Sequence, residues 1–193
     1  MRTGNLFVIS GPSGAGKGTL VSRLLERIPD AWVSISATTR APREGEVDGV
    51  HYLFLSDEEF DRMVEQDGLL EWARVHDRRY GTPRALVEEH RAAGGQVILE
   101  IDVQGGFQVK QKDPSAHLVF IEPPSLEELE RRLRGRGTED EASIALRMRN
   151  AEVELSHKME YDIQFVNDDI DACTDALVSY IESQAHESIR NGE

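Results

Sequence analysis

The sequence predicts an α/β fold: a parallel sheet flanked by helices, with a small mixed insertion and an arginine-rich lid. Short apolar runs alternate with helical patterns along the 193 residues, which is typical of a parallel sheet covered on both faces. A glycine-rich loop ending in lysine joins the first strand to the first helix. Two polar stretches, 37–81 and 131–147, interrupt the alternation. The length corresponds to about one domain, which we expect over 4–186.

The elements follow in order from apolar patterning and helix-end signals. A strand over 6–10 precedes a helix from Lys17 to Arg27, which ends before Pro29. Further core strands are expected at 32–36, 96–101, 118–121 and 163–166, and the insertion contains an alternating strand at 51–55. Capping boxes begin helices at Ser56 with Glu59 and at Ser125 with Glu128, and Thr82 before Pro83 is a third helix start. The predicted core is therefore 4–36, 82–130 and 148–186.

The loop between the first strand and first helix matches a phosphate-binding loop. Its residues are Gly11, Pro12, Ser13, Gly14, Ala15, Gly16, Lys17, Gly18 and Thr19. Glycines let successive N–H groups point inward at phosphate oxygens, and the helix start adds its positive dipole end. A plain turn is the alternative, but it needs one glycine and no lysine. Gly18 departs from the pattern, which expects a Ser or Thr hydroxyl for Mg²⁺ there.

Composition narrows the function classes. The net charge of −14 argues against a nucleic-acid or anionic-membrane surface. Cys173 is the single cysteine, so an intramolecular disulfide is impossible and a cysteine-based zinc site is improbable. The sequence contains no membrane-length apolar run and no signal-peptide pattern. We therefore expect a cytoplasmic protein with small-molecule partners.

Clustered charges mark the candidate chemistry. Asp102 follows a buried strand, where an acid beside a phosphate loop commonly orders Mg²⁺; the alternative is a helix N-cap. Glu100 lies two residues earlier, on the same side of the strand. Arg40 and Arg43 flank Pro42, which stiffens the loop so that both guanidinium forks can converge on phosphate. Two solvated surface arginines are the alternative.

The insertion also carries groups that match a nucleobase. The adjacent N1–H and 2-amino donors of guanine fit one carboxylate, and its O6 accepts from a hydroxyl. Glu71 with Ser36 and Thr82 supplies that set, although Glu71 as a surface charge is an open alternative. Farther along, arginines spaced by glycines are typical of a mobile lid that closes over phosphates. These are Arg131, Arg132, Arg134, Arg136 and Arg147.

These motifs together resemble the guanylate kinases, a family of nucleoside monophosphate kinases. The matching strings are GPSGAGK at 11–17, SATTRAPREGE at 36–46, DGVHY at 48–52, EWA at 71–73, YGT at 80–82, IDVQG at 101–105, PPS at 123–125, RGRGT at 134–138 and VNDD at 166–169. They span nearly the whole chain in the family's order. The resemblance implies Mg²⁺-dependent phosphoryl transfer from ATP to GMP, with dGMP as a further acceptor, by a monomer or homodimer.

The resemblance also assigns roles to residues. It implies that ATP is held by residues 11–19 with Arg132, Arg136 and Asn167, the last beside the adenine ring. It implies that GMP is held by Ser36, Arg40, Arg43, Tyr52, Glu71, Tyr80, Thr82 and Asp102. The implied catalytic groups are Lys17, Arg40, Asp102, Arg136 and Arg147. No protein group is assigned as a firm direct metal ligand: Asp102 would act through water, and Thr19 is a candidate in place of the residue missing at Gly18.

The sequence departs from the family pattern at two further places, and three other functions are alternatives. Glu100 stands where the family often has Asp, and the basic run 76–79 precedes Tyr80, where it either meets the GMP phosphate or faces solvent. The string GKGT at 16–19 also resembles adenylate kinase, although the insertion does not. A non-catalytic guanylate-kinase-like interaction module is the second alternative, against which stand Lys17 and the arginines. A GTPase switch is disfavoured because no Asn-Lys-x-Asp string occurs.

Overall fold

The computed structural model describes residues 2–135 and 140–187. The strands are β1 (Asn5–Ser10), β2 (Ala31–Val33), β3 (Ala37–Thr38), β4 (Leu53–Phe54), β5 (Leu69–Val75), β6 (Arg78–Pro83), β7 (Gln96–Glu100), β8 (His117–Glu122) and β9 (Ile163–Val166). The helices are α1 (Lys17–Arg27), α2 (Asp57–Glu65), α3 (Arg84–Ala92), α4 (Val103–Lys112), α5 (Leu126–Arg134), α6 (Glu141–Ser156) and α7 (Ile170–Glu187), with a short 3₁₀ turn at Lys158–Glu160.

A five-stranded parallel sheet forms the centre, in the order β2-β7-β1-β8-β9. The sheet confirms the predicted fold class. Strand β1 lies in the middle and is buried over all six residues, so the loop that follows it opens at the centre of the sheet's carboxyl edge. In this sheet β1 is followed by β2 on one side, whereas its neighbour β7 is followed by β8 on the other side. Such a reversal places the ligand-binding crevice of an open α/β sheet at this edge.

Alternate residues of β1 pack into two cores, one on each face of the sheet. Phe7 and Ile9 join the core under α1 and α7, which includes Leu24 and Leu177. Leu6 and Val8 join the core under α3 and α4, which includes Tyr161. Burial on both faces explains why β1 is continuously apolar rather than alternating.

The predicted insertion contains a second sheet, with strand order β4-β3-β6-β5. Strands β5 and β6 form an antiparallel hairpin, and β3 pairs antiparallel with β6 and parallel with β4. Its small core consists of Ala37, Phe60 and Leu69. This thin sheet stands beside the crevice and forms its second wall.

Several predicted bounds are wrong in detail. Strand β2 ends at Val33 rather than at 36, because the chain leaves the central sheet to enter β3. Only residues 53–54 of the predicted strand 51–55 form a strand in the described chain. Helix α3 begins at Arg84 with Pro83 as its N-cap, and the Thr82 side chain does not cap it. The Ser56 capping box is complete, whereas Ser125 caps α5 without the return bond from Glu128.

Candidate active site

Backbone shape builds the loop after β1. Gly11 has φ +142° and Gly16, the N-cap of α1, has φ +92°, conformations that L side chains rarely adopt. A Cβ at Gly11 would collide with the Ile121 carbonyl, and one at Gly16 would collide with the Asn167 amide. Two of the loop glycines are therefore required by both conformation and space. The amide groups at the start of α1 face the cavity that the loop encloses, which favours an anion there.

Two cations lie against this loop. Lys17 Nζ donates to the Gly11 carbonyl and, over 3.1 Å, to the Pro12 carbonyl, so the ammonium is folded across the loop. Arg147, on α6, donates to Ser13 Oγ over 2.8 Å although 134 positions separate the two residues. The described part of the predicted lid thus touches the loop through one of its predicted arginines. Arg136, a predicted catalytic residue, lies outside the described residues.

Asn167, which the resemblance places beside the adenine ring, contacts the phosphate loop. Its side chain is buried, and Nδ2 donates to the Ala15 carbonyl over 2.7 Å. Arg132 donates to the Asn167 carbonyl over 3.0 Å and to Glu128 over 2.8 Å. In this structure Asn167 holds the loop from beneath, and Arg132 holds the segment that carries Asn167.

A cavity of about 320 Å³ opens in front of the loop. Its lining residues are Ser13, Gly14, Gly16, Lys17, Gly18, Thr19 and Glu100. A Cβ built at Gly18 would lie 3.8 Å from Glu100 Oε1, so Glu100 borders the place where the usual hydroxyl is missing. Glu100 also lines a second cavity on the other side of β7, so it lies between the two spaces.

Asp102 is the N-cap of α4, as the alternative interpretation expected. Its Oδ1 accepts from the Gly105 amide over 2.8 Å, and its carbonyl accepts from Ser10 Oγ over 3.4 Å. The side chain is nevertheless exposed at the carboxyl edge of the sheet, next to the loop. Capping and a role in the crevice are compatible here, because capping by Oδ1 fixes the orientation of the whole carboxylate.

The second cavity, of about 190 Å³, lies between the two sheets. Its lining residues are Val33, Ser34, Ser36, His51, Tyr52, Thr82, Leu99, Glu100 and Ile101. Three of the predicted acceptor-site residues, Ser36, Tyr52 and Thr82, are therefore brought together. They come from three separate segments, which only the second sheet makes neighbours.

Glu71 is buried, which excludes the surface-charge alternative: 6% of the residue is exposed. Thr82 Oγ1 donates to Glu71 Oε1 over 2.7 Å, so the hydroxyl that was expected to cap α3 holds this carboxylate instead. Burial raises the pKa of the Glu71 carboxyl, the Thr82 hydrogen bond opposes that effect, and the negative charge of Asp102 reinforces it. The site contains a desolvated carboxylate with one hydrogen-bonded oxygen.

Arg40 lies in a cluster with Tyr52 and Tyr80. Its guanidinium makes two bonds to the Glu46 carboxylate, of 2.9 and 2.8 Å, and lies 5.3 Å from the Tyr52 ring centroid. The Tyr52 and Tyr80 rings are 6.2 Å apart. Glu46 also accepts from the Arg43 amide over 2.7 Å, and pairing with Arg40 lowers the pKa of Glu46 to about 2. The Arg40 side chain and the Arg43 backbone thus meet at Glu46, and the two tyrosine rings lie beside Arg40.

Sequence reasoning did not assign roles to two carboxylates in the crevice. Glu46 belongs to a matched string, but no spacing rule predicts an ion pair between loop residues six positions apart. Glu154, on α6, is half-buried near Lys17 and Asp102, and burial raises its pKa. Helix α6 has no clear apolar face in the sequence, so the sequence does not indicate that Glu154 faces the crevice.

Arg79, the last residue of the basic run before Tyr80, neither reaches the predicted GMP phosphate site nor faces solvent. Arg79 is mostly buried and pairs with Asp57 and Asp61 of α2. Its guanidinium lies 4.7 Å from the Phe60 ring centroid. Arg79 therefore anchors the hairpin to α2 and is directed away from the acceptor cavity.

A parallel sheet, a glycine loop with a folded-over lysine after β1, and acids at the end of neighbouring β7 define the class of P-loop nucleotide-binding phosphotransferases. Among the described residues no group of three or more His, Cys, Asp or Glu side chains forms a metal cage. No described helix is long and apolar enough to cross a membrane.

Comparison with known proteins identifies the particular family. A sequence model of the guanylate kinase family matches residues 3–184. The chain is 56% identical over 168 residues to a guanylate kinase of Parasynechococcus marenigrum, covering 87% of this chain and 92% of the relative. It is 49% identical over 180 residues to one of Caldanaerobacter subterraneus, covering 93% and 87%. The chain belongs to the guanylate kinase family, whose members transfer phosphate from ATP to GMP.

Solved structures agree with this assignment. The guanylate kinase of Anaplasma phagocytophilum is 32% identical with a TM-score of 0.74, covering 97% of this chain and 89% of that one. A gluconokinase of Sinorhizobium meliloti, at 16% identity and a TM-score of 0.52, shares the fold. Because a gluconokinase shares the fold, the fold by itself does not identify the substrate.

Proposed function

We propose that this chain transfers the γ-phosphoryl group of ATP to the phosphate of GMP, with Mg²⁺, and that dGMP is also an acceptor. The observation that carries the proposal is the buried Glu71–Thr82 pair, which lies on the wall opposite the phosphate loop. The proposal places the reaction in the cytoplasm, where both nucleotides are available.

The base-reading step uses the chemistry of Glu71. Guanine presents two adjacent donors, N1–H and the 2-amino group, to one carboxylate. Adenine presents an acceptor at N1, which a carboxylate repels. Ser36 and Thr82 line the neighbouring cavity; the Ser36 hydroxyl would donate to O6, while the single Thr82 hydroxyl proton is donated to Glu71. Because the argued contacts go to base and phosphate, removal of the 2′-hydroxyl in dGMP should be tolerated.

The acceptor phosphate would be held by Arg40, Arg43, Tyr52 and Tyr80. Arg40 binds the Glu46 carboxylate through Nη1 and Nη2 and the Ala41 carbonyl through Nη1, which leaves Nε and one Nη2 proton for phosphate oxygens. The attacking oxygen belongs to a phosphate that is already ionised at neutral pH. The reaction therefore needs alignment and charge neutralisation more than a strong general base.

On the donor side, the loop 11–19 would surround the ATP phosphates while Lys17 exchanges its loop carbonyls for phosphate oxygens. Arg147 already contacts Ser13 and would close over the transferred group, with Arg132 and Arg136. Closure excludes water, which would otherwise hydrolyse ATP. Asn167 would keep the loop in shape, as its bond to Ala15 indicates.

The oxygen donors present fit Mg²⁺. The cation prefers oxygen ligands, keeps several waters, and is usually bound through one or two carboxylates plus substrate phosphates. Glu100 and Thr19 line the loop cavity, and Asp102 is exposed at the same sheet edge. These residues would hold the hydrated ion, which supplies charge neutralisation between the phosphates. Gly18 contributes no hydroxyl, and the Glu100 carboxylate borders that position, with its oxygens 3.8 and 3.9 Å from a Cβ built there.

An acceptor panel tests the proposal. Purified protein with ATP and Mg²⁺ is given GMP, dGMP, AMP or UMP, and ADP and the nucleoside diphosphate are measured by chromatography. We expect GDP and dGDP, little ADP from AMP and UMP, and loss of turnover in Lys17→Ala. Equal or better use of AMP would exclude guanine specificity, and absence of GDP with excess Mg²⁺ would favour a non-catalytic module.

A further inference from the structure

Glu71 lies in an irregular part of β5. Leu69 pairs with Pro83 and Trp72 pairs with Gly81, so β5 contains one residue more than β6 between these pairs. Such a bulge disrupts the local ladder and re-aims the side chains within it. Pairing with β6 therefore does not by itself fix the backbone that carries the Glu71 carboxylate.

The outer edge of β5 is covered by helix α4 through a side-chain amide. Gln108 Oε1 accepts from the Trp72 amide over 3.2 Å, and Gln108 Nε2 donates to the Trp72 carbonyl over 3.2 Å. This reciprocal pair reproduces what the peptide group of a neighbouring strand would offer. Gln108 thus makes the two backbone bonds that a neighbouring strand would make, and it makes them to Trp72, the residue that follows Glu71.

Two other residues of α4 contact the same segment. Lys112 Nζ donates to the Leu69 carbonyl over 2.7 Å, on the other side of the bulge. A Cβ at Gly105 would lie 3.2 Å from Glu71 Oε2, so the carboxylate passes over this glycine. Positions 105, 108 and 112 share one helix face because their spacings are three and four. One face of α4 therefore contacts both ends of the bulge, at Leu69 and Trp72, and lies against the Glu71 carboxylate between them.

The same helix begins at Asp102, which caps it at the crevice. A rigid helix then connects the reaction end of the site with the segment that carries the base-reading carboxylate. The Gln108 bonds are the contact that fixes the angle of that segment, since Gln108 binds both the N–H and the C=O of one residue.

We propose that Gln108 is a positioning residue for guanine recognition: its amide fixes the bulge of β5 so that Glu71 aligns with the N1–H and 2-amino donors of the base. The proposal rests on the proposed GMP kinase activity. Gln108 touches no substrate and acts through Trp72 and Glu71. It extends the base-reading site from the insertion to a helix of the central fold.

The test compares Gln108→Ala with Gln111→Ala, an exposed glutamine on the same helix for which the described residues show no side-chain hydrogen bond. Acceptors are GMP and IMP, which lacks the 2-amino group. Loss of two hydrogen bonds should lower kcat/KM for GMP about tenfold through KM. The value for IMP should fall less than about threefold, and the KM for ATP should not change. Gln111→Ala should match the wild type.

A second variant and a second measurement guard against a general folding defect. Gln108→Glu keeps the size but cannot donate to the Trp72 carbonyl, and it should also lower the GMP-to-IMP preference. In Gln108→Ala the Trp72 amide should exchange hydrogen faster in the free protein, while amides of the central sheet stay protected; Gln108→Glu keeps an acceptor for this amide. An unchanged GMP-to-IMP preference in an active Gln108→Ala protein overturns the inference alone. A wild-type protein that makes no GDP overturns the proposed function and this inference with it.

Discussion

We propose that the phosphate loop and the acceptor wall both bind nucleotide, but the two regions are formed in different ways. The acceptor wall is the set of predicted GMP-binding residues on the second sheet and its loops: Ser36, Arg40, Arg43, Tyr52, Glu71, Tyr80 and Thr82. The loop comes from nine consecutive residues, and its shape depends on backbone, with left-handed glycines and a lysine folded over carbonyls. The acceptor wall combines side chains from four segments on a thin sheet, and its arginine is already paired with Glu46. Backbone amides are sufficient to bind an anion in general. Recognition of one nucleotide requires side chains held at defined positions.

This contrast predicts where variants act. Changes on the loop should affect turnover with every acceptor, because the donor phosphates are shared. Changes on the acceptor wall should affect GMP more than ATP and should alter the preference between bases.

The largest effect is expected from Lys17→Met. Removal of a charge aimed at the transferring phosphates should lower kcat roughly 10³-fold with every acceptor, by loss of electrostatic stabilisation in the transition state. The measurement is steady-state ADP formation at saturating ATP and GMP. Lys110→Met is the control, since Lys110 bonds Ala116 and Asp162 at the far end of α4. Retention of a tenth of the wild-type kcat would refute this role for Lys17.

The second largest effect is expected from Glu71→Gln, which changes the acceptor wall. Loss of the charged acceptor should lower kcat/KM for GMP about 100-fold, with little change in the KM for ATP. The same variant should raise the unfolding temperature, because it removes a buried carboxylate whose pKa is raised by desolvation. Both are measured against Glu65→Gln, an exposed carboxylate of α2. Unaltered GMP kinetics would show that another group reads the base.

A pH profile sharpens the same contrast. Glu71 must be ionised to accept two donors, and burial raises its pKa. As pH falls, the KM for GMP should therefore rise at a higher pH than an ordinary glutamate would cause. As pH falls from the raised pKa of Glu71 to the ordinary glutamate pKa, the folded protein progressively loses the cost of burying that charge, and below both pKa values the cost is absent. Glu46, with its pKa near 2, should remain ionised throughout and keep Arg40 in place.

GMP phosphate itself titrates near pH 6, so the profile needs an internal reference. Glu71→Gln supplies it, because that variant retains the phosphate titration and lacks the carboxyl. Subtraction of the two profiles isolates Glu71. Superimposable profiles for the two proteins would contradict the assignment.

The smallest effect concerns Gly18. A Cβ there meets Glu100 oxygens at 3.8 and 3.9 Å, which is ordinary contact, so Gly18→Ser should fold. Helix propensity should add about 0.5 kcal/mol of stability, and the new hydroxyl should lower the Mg²⁺ concentration for half-maximal activity a few-fold. Gly18→Ala is the matched control, with similar stability and no hydroxyl. An equal Mg²⁺ requirement in the two variants would show that the hydroxyl is dispensable.

Local signals made the donor side predictable. The glycine pattern predicted the loop, and the helix over Lys17–Arg27 was predicted in full, because both depend on residues next to one another. The side chains that support the loop were less accessible to prediction. Asn167 and Arg147 reach it across more than 130 positions, and such contacts depend on how α6 and β9 pack.

For the acceptor wall, the sequence predicted which residues take part but not how they contact one another. Glu71 and Thr82 were chosen together, yet their bond was missed because Thr82 was expected to cap α3. Glu46 and Gln108 were given no role, although one holds Arg40 and the other holds the bulge beside Glu71. Their partners are set by loop conformation and by contact between the two sheets.

The sequence by itself determined the parallel α/β fold, the phosphate loop and the residue types of the acceptor wall, since apolar periodicity, glycine conformation and charge are properties of short segments. Only the tertiary structure decided that Glu71 is buried and that Gln108 completes the edge of β5. Each of these depends on the approach of α4 to the second sheet, and desolvation and reciprocal hydrogen bonding arise only after segments distant in sequence have packed together.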